Sequence, residues 1–166
     1  YITMIKKLCL KNWKSFQDAT LYIDPLTMVI GANASGKSNA LDALLFIQRV
    51  ASGVGITQAI NGDVNLPALR GGMEWVCRKP EKQFSLSAVV ETADEKEYTY
   101  ELSIRVNETK AEVIRESVTR IDQTDQDKNQ SYFSANPNGS GGHTLFVDFL
   151  VEAQNQKKRW EMKPSH

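Results

Sequence analysis

The sequence has few of the residues from which several kinds of site are built. Only two histidines and two cysteines occur among 166 residues, and Cys9 and Cys77 are too far apart for metal-ligand spacing. A zinc centre or a histidine-based triad is therefore not expected, and the scarcity of cysteine favours a reducing, cytoplasmic setting. Basic and acidic residues number 20 each, so net charge gives no argument for nucleic-acid binding.

Long apolar runs are also missing. No stretch approaches the roughly 20 apolar residues that a membrane-spanning helix needs, and residues 1–7 lack the apolar core of a signal peptide. We therefore expect no membrane partner. The composition, 41% hydrophobic and 24% charged, is that of an ordinary globular domain with a core of its own.

One motif carries chemistry. Residues 31–38, Gly-Ala-Asn-Ala-Ser-Gly-Lys-Ser, fit the phosphate-binding pattern G-x-x-x-x-G-K-[ST]. The apolar run at 26–30 predicts a buried parallel strand. A helix starting near Lys37 is predicted by the spacing of Leu41, Leu44, Leu45 and Gln48. Strand, glycine loop and helix are the context that a phosphate loop requires, the alternative being a chance glycine-rich turn.

In a phosphate loop, successive backbone N–H groups wrap the phosphates, and glycines permit the close approach of the backbone. The N-terminus of the following helix adds partial positive charge. Lys37 is expected to reach the β- and γ-phosphates of a nucleoside triphosphate, and the Ser38 hydroxyl to coordinate Mg²⁺. The predicted contact set from this loop is Gly31, Asn33, Ala34, Ser35, Gly36, Lys37 and Ser38.

The carboxylate that hydrolysis requires on a second strand is not evident. The nearest candidate is Asp148, after the apolar residues 145–147, but Phe149 follows it where a glutamate is expected. Asp148 is either a Mg²⁺ ligand or a solvent-facing residue of an alternating strand. No catalytic residue is identified.

Around the loop, strands are predicted at 2–12 and 19–23, and the helix is expected to end at Ser52-Gly53. Residues 53–80 are rich in glycine and proline and predict an irregular segment with a short helix around 57–60.

The second half of the chain is β in pattern. Alternating apolar residues predict an antiparallel meander at 81–121, with a bulge where Val113 and Ile114 are adjacent. Residues 122–143 are polar and predict a loop or hairpin, with a short strand at 132–133. Residues 144–166 predict a strand and a basic tail. The expected organisation is an N-terminal lobe at 1–121, a polar loop or hairpin at 122–143, and a strand with a basic tail at 144–166.

Two segments resemble the N-terminus of an ABC-type ATPase. The turn at 12–16, Asn-Trp-Lys-Ser-Phe, and the loop with its trailing Asn39 are similar, in the same order, to segments of the SMC/RecF/RecN-like branch. That branch includes the AAA-family ATPases of bacterial anti-phage systems, such as Septu, retron-associated and OLD-like ATPases. The likeness covers residues 5–50 well and the meander loosely. It implies an α/β fold with α+β character: the N-terminal half of a phosphate-loop ATPase head, with a mixed core sheet plus an antiparallel meander.

The resemblance implies further roles. ATP and Mg²⁺ are the expected cofactors, with Asn33 near the γ-phosphate and Asn39 closing the loop motif. Lys14 and Ser15 of the turn are expected to approach the phosphates, the alternative for Lys14 being a solvated lysine at a β-turn. Trp13 either touches the adenine or belongs to the core.

Other parts of such a head are not recognisable. The segment 139–143, Gly-Ser-Gly-Gly-His, superficially resembles the signature sequence, but a β-like run follows it and turn glycines explain it better. The chain is therefore expected to be half of a head, inactive alone, although the complete protein would be an ATP hydrolase.

The implied function is ATP-dependent pairing with a second head, as a homodimer or higher oligomer, which controls DNA processing or an associated nuclease subunit or domain in repair or antiviral defence. Direct DNA contact rests on analogy. Two alternatives remain open. One is a small-molecule kinase, which the meander and the lack of an arginine-rich lid disfavour; the other is a nucleotide-sensing scaffold without hydrolysis.

Overall fold

A computed structural model describes residues 4–24, 36–92, 94–121 and 130–135, the last range as backbone alone. The described helices are α1 (Lys37–Ala51), α2 (Ile56–Asn61) and α3 (Gly72–Trp75). The described strands are β1 (Met4–Trp13), β2 (Phe16–Tyr22), β3 (Gln83–Glu91), β4 (Glu97–Val106), β5 (Ala111–Ile121) and β6 (Gln130–Ala135).

These strands form one antiparallel sheet in the order β2-β1-β3-β4-β5-β6. The predicted meander, β3 to β5, is therefore continuous with the N-terminal hairpin, because β1 pairs with β3 along its length, as in Leu8 opposite Ala88. β6 extends the sheet at the position of the short strand predicted at 132–133. The bulge predicted in β5 is present, since Ser103 lies opposite Arg115 and Ile104 opposite Val113, which leaves one extra residue in β5.

The core lies between one face of this sheet and helix α1. Alternate residues of β3 and β4 are buried, as period-2 patterning predicts. At its centre the rings of Trp13, Phe46 and Phe84 pack at centroid distances of 5.1 to 5.8 Å. Trp13 is fully buried, so it belongs to the core and not to an adenine pocket. The ring contacts join β1, α1 and β3 into one packed unit.

The bounds of α1 follow the sequence signals. Gly36 precedes it with φ of 86°, a left-handed conformation that glycine adopts without strain. A Cβ at Gly36 would lie 2.9 Å from Phe16 Cζ, so a side chain at this position would also require the Phe16 ring to shift. The helix ends at Ala51, followed by Ser52 and by Gly53 at φ of 87°. The predicted start and end of the helix are both confirmed.

The segment between α1 and β3 contains more helix than the sequence indicates. The short helix predicted around 57–60 is α2, and the buried Arg49 guanidinium of α1 donates a 2.8 Å hydrogen bond to the carbonyl oxygen of Ala59 within it. The four-residue α3 was not predicted, because the glycines that precede it read as breakers.

Several predicted features lie outside the described residues: the strand at 26–30, most of the phosphate loop, residues 139–143, Asp148 and the segment 144–166. Within the described ranges, no helix has both the length and the apolar character needed to cross a membrane.

Candidate functional site

The turn between β1 and β2 packs against the first turn of helix α1. The indole Nε1 of Trp13 donates a hydrogen bond of 2.8 Å to the main-chain carbonyl of Asn39. The side-chain Nδ2 of Asn39 in turn donates to the Ser15 hydroxyl over 2.7 Å. Ser15 and Asn39, which the sequence assigns to one site from separate segments, are therefore in direct contact.

Lys37 and Ser38 are the first two residues of α1. Lys37 is half-buried and Ser38 is exposed. The N-cap residue, Gly36, has no side chain with which to cap the first backbone N–H groups, and the first turn carries no acidic residue. The N–H groups of the first turn and the helix dipole therefore give this end of α1 a partial positive charge.

In a phosphate loop, the hydroxyl oxygen at the second helical position is a ligand for Mg²⁺. The exposed Ser38 hydroxyl fits this predicted role. When bound with a nucleotide, Mg²⁺ neutralises charge on the β- and γ-phosphate oxygens. Ser38 would supply one oxygen ligand, and Lys37 would supply its ammonium to the same phosphates.

Lys14 is held at both its backbone and its side chain. Its φ is 49°, a left-handed conformation uncommon for a residue with a Cβ, and its backbone N–H donates to the Val76 carbonyl over 2.9 Å. Its ammonium donates to Asp42 Oδ2 over 2.8 Å and to the carbonyl oxygen of Arg70 over 2.6 Å. With 7% of the side chain exposed, the interpretation of Lys14 as a solvated lysine is wrong.

Asp42 joins two cations. Its Oδ2 accepts the Lys14 bond and two more from the Arg70 guanidinium, from Nε at 3.2 Å and from Nη2 at 2.8 Å. Burial by itself raises the pKa of the Asp42 carboxyl, but the hydrogen bonds and charges of Arg70 and Lys14 together outweigh it and hold the pKa below its usual range. Asp42 is therefore ionised at neutral pH and compensates one of the two positive charges.

The path of the chain after α2 brings Arg70 to this place. The segment 76–78 runs along the end of β1, where Trp13 and Cys77 form an isolated antiparallel bridge. The Arg78 backbone N–H donates to the Asn12 carbonyl over 2.8 Å. This pairing returns the chain from α3 to the β1–β2 turn, so Arg70, which precedes α3, lies beside Lys14.

The described part of the predicted site thus comprises Gly36, Lys37, Ser38, Asn39, Lys14 and Ser15, gathered around the start of α1. Gly31, Asn33, Ala34 and Ser35 lie outside the described residues. Among the described residues of this cluster, Lys14 and Arg70 share the carboxylate of Asp42, so these three side chains carry one more positive charge than negative. A polyanion is the chemical class that such a surplus of positive charge, together with a helix N-terminus, can bind.

Asp42 and Arg70 were missed by the sequence reasoning. A signal for Asp42 was present: it lies on the buried stripe of α1, seven residues before the buried Arg49, and charges are rarely buried without a partner. No comparable signal marked Arg70, whose side chain is 59% exposed and whose position depends on the path of the segment 62–80.

Comparison with known proteins identifies a family for the chain. The sequence model of the AAA ATPase domain matches residues 4–161, nearly the whole chain. This match confirms the expected fold class, an α/β phosphate-loop head of ABC type represented by its N-terminal half.

Three curated proteins illustrate the similarity. A chromosome partition protein Smc of Methanocaldococcus jannaschii is 48% identical over 44 residues, which are 26% of this chain and 4% of that protein. A chromosome partition protein Smc of Fusobacterium nucleatum is 34% identical over 93 residues, 54% of this chain and 7% of that protein. A DNA replication and repair protein RecF of Desulforamulus reducens is 28% identical over 97 residues, 51% of this chain and 26% of that protein.

Among solved structures, the recombination mediator protein RecF with ATP, in the RecFOR pathway, is similar with a TM-score of 0.44 and 19% identity. The match covers 72% of this chain and 28% of that chain. The chain therefore spans about a quarter or less of each of these curated relatives and of this solved chain.

Proposed function

Because the chain belongs to the AAA ATPase domain family, we propose that it binds ATP with Mg²⁺ at the start of α1. Residues 1–121 act in this proposal as the N-terminal lobe of an SMC/RecF-like ATPase head. The phosphate contacts come from residues 31–38, with Lys37 reaching the β- and γ-phosphates and Ser38 facing Mg²⁺. Asn39, Lys14 and Ser15 lie at the border of the same site.

One observation carries the proposal. Lys37 and Ser38 open helix α1 directly after the left-handed Gly36, and the β1–β2 turn is tied to the same end of the helix by the contact between Ser15 and Asn39. Ser15 and Asn39 are 24 residues apart in sequence, and the two segments that carry the family resemblance thus meet at one place. A chance glycine-rich turn gives no reason for this meeting.

We further propose that ATP promotes pairing of two heads. The chain contains one face of a composite site, whereas the described residues include no candidate for the acidic strand motif that hydrolysis requires. In this scheme a second, complete head facing the phosphate loop supplies the remaining groups, and the chain alone turns over ATP very slowly.

The output of the paired heads is proposed from the printed names of relatives, a chromosome partition protein and a DNA replication and repair protein. It is the ATP-controlled handling of DNA in the cytoplasm, directly or through an associated nuclease. An antiviral role and a repair role use the same ATP switch and differ in what the head is joined to.

Sedimentation velocity tests the pairing. The full-length protein that contains this head, with ATP and Mg²⁺, is expected to shift towards the dimer, and its Lys37→Ala variant is expected to remain as it is without nucleotide. Lys11→Ala removes an exposed lysine of β1 and serves as the control that should still shift. Equal association of the wild type and Lys37→Ala with ATP would contradict the proposal.

A further inference from the structure

Asp42 stands where it can set the position of a cation for the nucleotide. It lies one helical turn after Ser38, on the helix that Lys37 opens. Its carboxylate holds the Lys14 ammonium at 2.8 Å. A carboxylate close to a phosphate site repels the negatively charged ligand. The position of Asp42 is therefore explained only if this side chain also favours binding in another way.

The Lys14 side chain is fixed to an unusual degree. A lysine on a turn is ordinarily mobile, and immobilising its side chain costs conformational entropy. Here the ammonium is held between Asp42 Oδ2 and the Arg70 carbonyl, with 7% of the side chain exposed. The left-handed backbone conformation of Lys14 is itself unfavourable in energy, and the surrounding contacts must offset this energy as well.

The fixed ammonium keeps a donor in reserve. A lysine ammonium has three N–H groups, and the bonds to Asp42 and to the Arg70 carbonyl use two of them within the described residues. Lys14 can therefore donate a hydrogen bond to an additional anion without breaking its bond to Asp42. The guanidinium of Arg70 binds Asp42 through Nε and Nη2, and its Nη1 makes no bond to another described residue.

We propose that Asp42 is a positioning residue of the nucleotide site: it acts through Lys14, holding the ammonium ready for a phosphate group at the start of α1. The inference rests on the proposed ATP binding and adds a residue to it. Asp42 contributes by pre-organisation, since a cation already in place loses no further freedom when the nucleotide binds. Its negative charge opposes the ligand, but its hold on Lys14 outweighs that effect.

The sign of the effect of Asp42→Asn separates positioning from simple charge. If Asp42 acted only as a negative charge near the phosphates, its removal would tighten ATP binding. With Asp42 as the positioning residue, Asp42→Asn weakens ATP binding about five- to tenfold, measured by isothermal titration with Mg²⁺ present. Asp42→Glu keeps the charge but displaces the ammonium, and it weakens binding about threefold.

A double-mutant cycle shows whether Asp42 acts through Lys14. In a Lys14→Ala background, Asp42→Asn and Asp42→Glu should each change the ATP affinity less than twofold. Glu116→Gln is the matched control, because Glu116 is a buried carboxylate bound by the Tyr100 hydroxyl in the sheet. It should lower thermal stability and leave the affinity unchanged.

Unchanged or tighter ATP binding by the Asp42 variants would overturn the inference, and so would an equal loss in the Lys14→Ala background. If Asp42→Asn does not fold, the cycle with Asp42→Glu decides alone. Lys37→Ala separates this failure from that of the proposed function. Loss of binding by Lys37→Ala, with unaffected Asp42 variants, refutes only the positioning role, whereas full binding by Lys37→Ala refutes the ATP site itself.

Discussion

The indole of Trp13 is hydrogen-bonded to the main chain of Asn39, in the first turn of α1, over 2.8 Å. Because Trp13 is also fully buried between Phe46 and Phe84, one side chain joins the core of the sheet to the start of the helix that carries Lys37. The position of the helix N-terminus is therefore set by the core.

Replacing Trp13 by Phe tests this connection. The variant loses one hydrogen bond and part of the packed volume. We expect its free energy of unfolding to be about 2–3 kcal/mol lower than that of the wild type. It should also bind ATP more weakly, because the main-chain carbonyl of Asn39 loses its bond to the indole. Phe84→Leu is the matched control in the same core, and it should lose about 1–2 kcal/mol with little change in affinity. Urea unfolding and ATP titration of both variants make the comparison, and equal affinities would contradict the connection.

Gly36→Ala should destabilise the protein by about 1–2 kcal/mol or more. Its φ of 86° is unfavourable for a residue with a Cβ, and the new methyl group would meet the Phe16 ring at 2.9 Å. Gly55→Ala is the control, since Gly55 has φ of −59° and its Cβ would meet nothing within 4 Å. That change should stay within about 1 kcal/mol. Thermal melting distinguishes the two, and a neutral Gly36→Ala would show that the left-handed turn is not required.

The buried pair in the sheet should contribute more than an ordinary side-chain bond. The Tyr100 hydroxyl donates to Glu116 Oε1 over 2.8 Å, and both residues are buried. Tyr100→Phe is expected to lower the free energy of unfolding by about 1.5–3 kcal/mol. Ser85→Ala, which breaks the half-buried contact with Ser103, should lower it by about 0.5–1.5 kcal/mol. The reverse order in chemical denaturation would count against this ranking.

Cys77 makes the stability sensitive to alkaline pH. Burial is the main cause that raises the pKa of its thiol to about 11, from an ordinary value of 9.0. The unfolded chain loses this proton first as the pH rises, so stability is fully present below about pH 9 and falls as the pH approaches 11.

The size of that loss is about 2–3 kcal/mol. The free energy of unfolding of Cys77→Ala, measured from pH 8 to 11, should fall less steeply than that of the wild type. Cys9→Ala removes the half-buried cysteine of β1 and should retain the wild-type slope. Identical slopes for all three proteins would refute the assignment to Cys77.

The sequence predicts the helices and strands of this fold better than it predicts which of them pack or pair together. Periodicity identifies the buried residues of β3 and β4, and Gly36 and Gly53 mark the ends of α1, because these signals are local. The pairing of β1 with β3 is not local: alternation identifies a strand without identifying its neighbour. The contact between Asp42 and Arg70 is missed for the same reason, since 28 residues separate them and an irregular segment brings them together.

The central claim is that Lys37, at the start of α1, binds the phosphates of ATP. Calorimetric titration of the wild-type protein with ATP and Mg²⁺ tests it most directly, alongside Lys37→Ala and the control Lys11→Ala. Loss of a charged hydrogen-bonding group should cost about 1.5–3 kcal/mol, so we expect Lys37→Ala to bind about 10- to 100-fold more weakly and Lys11→Ala to bind as the wild type does. Wild-type affinity in Lys37→Ala, or no binding of ATP by the wild type, would contradict the account.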